Sequence, residues 1–253
     1  MRSGRSGQPV GYLGVDPTSR YGARPRALDV CSLVAGAGNQ WHAWFWTWEW
    51  APGPDAIVVE AILPELKQAR CVMIDGPQAL AAPGRRLRVS ERQCRAAGKT
   101  PDRLPPADLR PYGGFIRSSV ELFAALHGAG LALSPAAVVG GVNEFYPGDG
   151  WRRLTGRRLP VKTSAVGRKL RQDWLRRFGV RFAGTVNHDQ LDACLGALLG
   201  AAADGHVAGL GVARLGAPLR VDRTGVLREG PIVVPCRAED GAPKSGVVAV
   251  RAR

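Results

Sequence analysis

The stretch VGYLGVDP, Val10 to Pro17, decides the fold. An unbroken apolar run ends in a carboxylate and then in a residue with no amide to extend a ladder. It reads as a buried strand, Val10–Val15, with an acid at its exit. Cys71–Ile74 (CVMI) repeats the pattern and ends in Asp75-Gly76-Pro77; Ala136–Phe145 repeats it, with Glu144 ahead of Tyr146-Pro147.

Working outward, Leu28–Val34 reads as a second strand, Gly36–Asn39 as a turn and Trp41–Trp50 as a third strand. In the last, Trp44, Trp46, Trp48 and Trp50 face one way while Phe45, Thr47 and Glu49 face the other, the period of two expected of a strand. The Trp face is expected to pack under a helix; stacking on bases is its other use. Ala56–Ala69 has helical spacing, and Pro64 is expected to kink or divide it. Ser119–His127, Thr163–Phe178 and Asn187–Asp204 are further helices, the second with Val166, Leu170, Trp174 and Phe178 as its core stripe. Val180–Ala183 is a short extended link, and the tail from Leu219 reads as a hairpin in which LRVD turns at Thr224-Gly225 into PIVVP. This order predicts an α/β protein: a three-strand meander, then parallel strands, in a mixed β-sheet flanked by helices. A basic insertion at about 78–130 and a C-terminal β-hairpin complete a domain at 9–236, between flexible tails at 1–8 and 237–253.

The chain holds 253 residues, 45% of them apolar, ample for a hydrophobic core. Its net charge is +14, and the charge is patchy. Residues 85–117 carry nine Lys/Arg and three acids; residues 151–181 carry eleven and one. A field of that sign, so concentrated, points to a nucleic acid partner, DNA or RNA. Arg85, Arg86, Arg88, Lys162, Arg168, Lys169 and Arg171 are the candidate contacts. The five cysteines form no CxxC pair and several sit in apolar runs, which predicts reduced thiols and a cytoplasmic location. The first residues lack the apolar run of a signal peptide, and the most apolar helix is too short to span a bilayer, so no membrane partner is expected.

The candidate chemistry lies in the acids. Asp16, Asp75 and Glu144 each close an apolar run, and strand ends form the crevice where ligands bind in α/β sheets. Parallel neighbours would bring two such carboxylates about 5 Å apart. At that distance they repel unless a cation bridges them. Asp189 and Asp192, spaced i,i+3, point to one side of the first turn of the last helix. His188 beside them is a candidate for proton transfer. Two divalent ions among such carboxylates would orient a phosphodiester and activate water. Each acid alone also has a structural use, Asp189 at a helix start and Asp75 in a turn.

GVDPT at Gly14–Thr18, IDGP at Ile74–Pro77, NEFYP at Asn143–Pro147 and HDQLDACLGAL at His188–Leu198 resemble the family called domain of unknown function 429, described as ribonuclease-H-like nucleases. The resemblance runs over about residues 10–235 and includes the ending PIVVP. D-x-x-D-A on the last helix also resembles RuvC-type Holliday junction resolvases. The resemblance implies a ribonuclease-H-like fold and metal-dependent hydrolysis of phosphodiester bonds in DNA or RNA, with Mg²⁺ or Mn²⁺ as cofactor. By position it makes Asp16 and Asp75 the strand ligands and Asp189 or Asp192 the helix ligand, with Glu144 matching the family's E-x-Y-P motif. Two other readings stay open: a nucleic-acid-binding module without turnover, and an actin-like binder of nucleotide phosphates. Against the latter, the chain is short for two lobes and Pro17 stands where a glycine is expected. No P-loop, strand-following GxGxxG or zinc spacing occurs.

Overall fold

The computed structural model describes residues 11–22, 25–50, 56–237 and 248–250. Strands β1 (Tyr12–Asp16), β2 (Leu28–Ala35) and β3 (Trp41–Trp48) form the expected antiparallel meander. Helix α1 (Ala56–Gln68) then leads to β4 (Cys71–Asp75), which pairs parallel to β1. Helices α2 (Val89–Cys94) and α3 (Gly113–Gly128) lie in the insertion, and β5 (Val142–Phe145) follows, parallel to β4. Next come α4 (Pro147–Thr155), α5 (Ala165–Arg177), β6 (Val180–Phe182) and α6 (His188–Ala203). Strands β7 (Leu210–Leu215), β8 (Arg220–Val221), β9 (Leu227–Arg228), β10 (Ile232–Arg237) and β11 (Val248–Val250) complete the chain.

Nine strands join in the order β11-β7-β10-β5-β4-β1-β2-β3-β6. The antiparallel meander followed by parallel β4 and β5, with helices on both faces, is the ribonuclease-H-like arrangement. The β1 strand lies inside the sheet and β3 next to an edge. Of the expected tails at 1–8 and 237–253, only Arg237, the end of β10, and β11, which pairs with β7, fall among the described residues, and both belong to the sheet. No described helix is long and apolar enough to cross a membrane.

Strand parity builds two cores. On one face Tyr12, Cys31, Leu33, Cys71, Met73 and Phe145 pack against α6. On the other, Leu13, Val15, Val30, Val72 and Ile74 pack against Ile62, Leu66, Phe123 and Leu126 of α1 and α3. Trp46, Trp48 and Trp50 join this second core, as expected of a face under a helix, whereas Trp44 stays 37% exposed.

Several expectations are corrected. PIVVP does not turn back on LRVD. Its unbroken apolar run suits a strand buried on both faces, so β10 enters the main sheet between β5 and β7. The hairpin is instead the short β8–β9 pair. The strand expected at Ala136–Phe145 is confined to Val142–Phe145, and α1 runs through Pro64 as one helix. On α5 the fully buried row is Gly167, Arg171 and Leu175; of the expected stripe, Trp174 and Phe178 pack partly buried against the core, whereas Val166 is 62% exposed. Gly167 lets the helix approach the 160–161 backbone, where a Cβ would meet Val161 O at 2.1 Å.

Helix α6 is buried all round from Leu191 to Ala203. Small residues make that possible. A Cβ on Gly14 would sit 1.8 Å from Ala193 O, so β1 and α6 touch backbone to backbone two residues before Asp16. Gly14→Ala is therefore expected to push α6 off the sheet, costing ~1–3 kcal/mol of stability as overpacking does. A thermal melt that matches the parent would show that the helix can yield.

Candidate active site

Register aims the acids. In β1 and β4 Val15 pairs with Ile74, so Asp16 and Asp75 leave the sheet side by side at the same end. Both share the parity of Tyr12, Gly14, Cys71 and Met73, the face covered by α6. Asp29, paired directly with Asp16 on β2, has that parity too.

The α6 helix brings the remaining carboxylates. Asn187 caps it: its side chain accepts from Gln190 N at 2.8 Å, and Gln190 Oε1 accepts from Asn187 N at 3.0 Å. This box fixes the first turn, and Asp189 and Asp192 project toward the β1 exit. Asp16, Asp189 and Asp192 each offer an oxygen within 4.8 Å of the others, and all three side chains are buried.

Lys162 lies among them. Its Nζ stands 2.9 Å from Asp189 Oδ1, 2.8 Å from Asp192 Oδ2 and 3.8 Å from Asp16 Oδ2. Arg26 Nη1 donates to Asp189 Oδ2 at 3.1 Å, and His188 Nδ1 lies 2.7 Å from Asp189 Oδ1. Trp151 Nε1 donates to Asp192 Oδ1 at 2.6 Å. Asp16 Oδ2 has no hydrogen-bond partner among the described residues.

The electrostatics follow. Burial, then repulsion from Asp75 and Asp192, pushes the Asp16 carboxyl well above the usual range. Burial and Asp192 do the same to Asp75. Burial, then Asp189, raises Asp29. Asp189 goes the other way: burial opposes ionisation, but Lys162 and His188 outweigh it and hold the carboxyl low. A buried, repelling set of acids, with Asp16 Oδ2 accepting no hydrogen bond, fits a hard divalent cation, which prefers oxygen ligands. Asp16, Asp189 and Asp192 are the residues that would hold it, with Asp75 beside Asp16.

Glu144 is a correction. It pairs with Ile74 rather than Asp75, so its side chain has the opposite parity and points away from α6. There Arg88 donates to both its oxygens, at 2.6 and 2.5 Å, and Gln78 N donates at 3.0 Å. Those bonds hold the carboxylate on Arg88 at the cleft wall, outside the Asp16–Asp189–Asp192 cluster. Arg88 is the matching correction: it is 1% exposed rather than on an open surface, and its guanidinium is taken up by Glu144 and Glu91 at the cleft wall. Arg171 is buried as well, donating to Gly167 O and Pro160 O and lying 5.6 Å over the Trp151 ring. It supports the indole that holds Asp192. Lys162 belongs to the carboxylates rather than to an outer surface. Arg85, Arg86 and Lys169 are exposed, and Arg168 is half-buried.

Residues that sequence reasoning missed include Arg26, Asp29 and Trp151. Alternation in β2 marks Asp29 once its pairing with β1 is known; nothing in the sequence marks Trp151. A cleft of about 360 Å³ opens at the carboxylates, lined also by Pro17, Gly76, Gly98, Tyr112, Phe115 and Tyr146.

No protein-family model matches the chain, and no curated protein matches it. The motif resemblance to domain of unknown function 429 thus rests on the short motifs themselves. Among solved structures the chain is similar to one described as Thermus thermophilus RuvC, at 14% identity and a TM-score of 0.38, covering 77% of this chain and 92% of that one. A likeness this loose bears on neither the site nor its chemistry.

Proposed function

We propose that this chain is a divalent-metal-dependent nuclease that hydrolyses phosphodiester bonds in DNA or RNA. The observation that carries the reading is the convergence of Asp16, Asp189 and Asp192 within 4.8 Å, with Asp16 Oδ2 accepting no hydrogen bond and meeting Lys162 only at 3.8 Å. Mg²⁺ or Mn²⁺ bound there supplies Lewis-acid charge to the phosphodiester and to the attacking water. Asp16, Asp189 and Asp192 would hold the ion, with Asp75 beside Asp16 available to a second. Trp151 fixes the Asp192 rotamer. His188 keeps Nδ1 on Asp189, which leaves Nε2 to hold or pass a proton. The exposed cations Arg85, Arg86, Arg157, Arg158, Lys169, Arg176 and Arg177, with Arg168, form the polyanion surface, and binding through them weakens with salt. The test is cleavage of end-labelled single strands, duplexes and junctions with Mg²⁺ or Mn²⁺, stopped by chelator and absent in Asp192→Asn. Metal-independent cleavage, or none of any substrate, would sink the reading.

One observation favours a module that binds without turnover: Lys162 already satisfies Asp189 and Asp192. The two readings diverge at Lys162→Met. If its ammonium holds the cation position until a metal displaces it, the variant binds Mn²⁺ about tenfold or more tightly, read by electron paramagnetic resonance. In chelator it melts lower, because the buried acids lose their counterion. Unchanged Mn²⁺ affinity would mean that the lysine is a permanent part of a site that takes no metal.

A further inference from the structure

The cleft is larger than the carboxylate cluster, and its second half is aromatic. Tyr112 and Phe115, at the start of α3, and Tyr146, which follows β5, line it together with Ala96, Ala97 and Gly98. Phe115 lies against the backbone beside Asp75: a Cβ on Gly76 would stand 3.2 Å from its Cζ. The root of the Tyr112 side chain packs beside Gly98, whose Cβ would meet Tyr112 Cγ at 3.8 Å and Cβ at 3.9 Å. Tyr146 is hydrogen-bonded to the Ala97 backbone, and burial raises its phenol. Phe115 and Tyr146 belong at the margins of two small apolar clusters, whereas Tyr112 joins none of those described and is 40% exposed.

We propose that this half of the cleft seats one unstacked nucleobase next to the phosphate that the carboxylates address. The proposal rests on the nuclease reading and adds its substrate class: a strand presenting an unpaired nucleotide, whether single strand, loop or junction. Every base offers a π-face, and base–aromatic stacking is indifferent to sequence. In a duplex each face is covered by its neighbours and each Watson–Crick edge by its partner, so only a splayed nucleotide offers a face to Tyr112 and Phe115. The charges are complementary along the same line. A phosphate bonded to that sugar would lie toward the acids and any cation they hold, near Lys162 and Arg26, whose side chain is 67% exposed. A cleft of about 360 Å³ suits a nucleotide and lies at the small end of ligand pockets.

The experiment uses the full chain with Ca²⁺ replacing Mg²⁺. The probes are a 12-mer carrying one 2-aminopurine, the same strand annealed to its complement, and 2-aminopurine ribonucleoside 5′-monophosphate. Titration is expected to quench the single strand and not the duplex. Tyr112→Ala is expected to abolish the quench and weaken single-strand binding about tenfold, in the range of one stacking contact. Tyr112→Phe retains both, and Phe115→Leu gives a partial loss. Equal quenching of the duplex, or an unaltered Tyr112→Ala, overturns the proposal; so does a free monophosphate that binds as tightly as the strand, which would make the cleft a site for free nucleotides. Cleavage in Mg²⁺ without quenching removes the base pocket and leaves the nuclease reading intact. Quenching without cleavage of any substrate removes the nuclease reading instead.

Discussion

Asp16→Asn is expected to lose metal-dependent cleavage by about two orders of magnitude or more, the scale of removing one preorganised electrostatic partner, while the protein melts higher than its parent in chelator. The two effects share a cause. Asp16 is buried, repelled by Asp75 and Asp192 more than Lys162 offsets, and has one oxygen that accepts no hydrogen bond. Its carboxyl is therefore raised above its unfolded value, and the folded protein holds the proton more tightly. Stability from that group is complete below about pH 4, the unfolded carboxylate value, and is lost as pH rises toward the folded one. The amide removes the loss. Parent and variant are thus expected to melt together near pH 4 and to separate steadily toward pH 8, at ~2–4 °C per kcal/mol for a chain of this size. Adding Mn²⁺ should close the gap from the parent's side alone. A variant that melts lower at pH 8 in chelator would show that Asp16 is a structural acid, and retained cleavage would remove it from the site.

Arg88→Met carries the largest expected cost in stability, although the sequence places this residue in a basic run fit for nucleic acid. Its guanidinium spans Glu144 and Glu91 in a network whose members are nearly solvent-free, and Thr100 N and Oγ1 close the other side of Glu91. Removing one partner of a buried pair leaves an uncompensated charge and costs ~3–5 kcal/mol, which is roughly 6–20 °C here. Arg88→Met with Glu144→Leu is expected to recover much of it, since an apolar pair of similar volume carries no desolvation penalty. An isolated Arg88→Met that melts like the parent and binds nucleic acid less tightly would restore the surface role.

The strands that carry Asp16 and Asp75 were legible because buried parallel strands are continuous apolar runs, and a run ending in an acid marks its own exit. The D-x-x-D spacing was legible because a helix fixes i,i+3 geometry locally. Glu144 shows the limit. Its run looks like the other two, and a single step of register against β4 decides which face its side chain takes. No local signal encodes that step. Arg88, Arg171 and Lys162 failed for a related reason: composition counts a cation without saying whether a carboxylate, a carbonyl or solvent receives it. PIVVP was misplaced because adjacency in sequence suggested a hairpin, while its partners, β5 and β7, lie far along the chain or were hidden in the glycine-rich stretch before Leu215. Trp151 had no signal at all, since an indole that holds a carboxylate looks like any core tryptophan.

The burial of α6 has a consequence for hydrogen exchange. Asp189 and Asp192 ride on a helix that cannot leave the sheet without dismantling the core around Leu191, Leu195 and Leu198. Its amides are expected to exchange only through global unfolding. The facing wall, from Ala96 to Phe115, is tied to the sheet through the Arg88–Glu91–Glu144 network, and its loop amides from Ala96 to Tyr112, which lie outside any long helix, are expected to exchange sooner than those of α6.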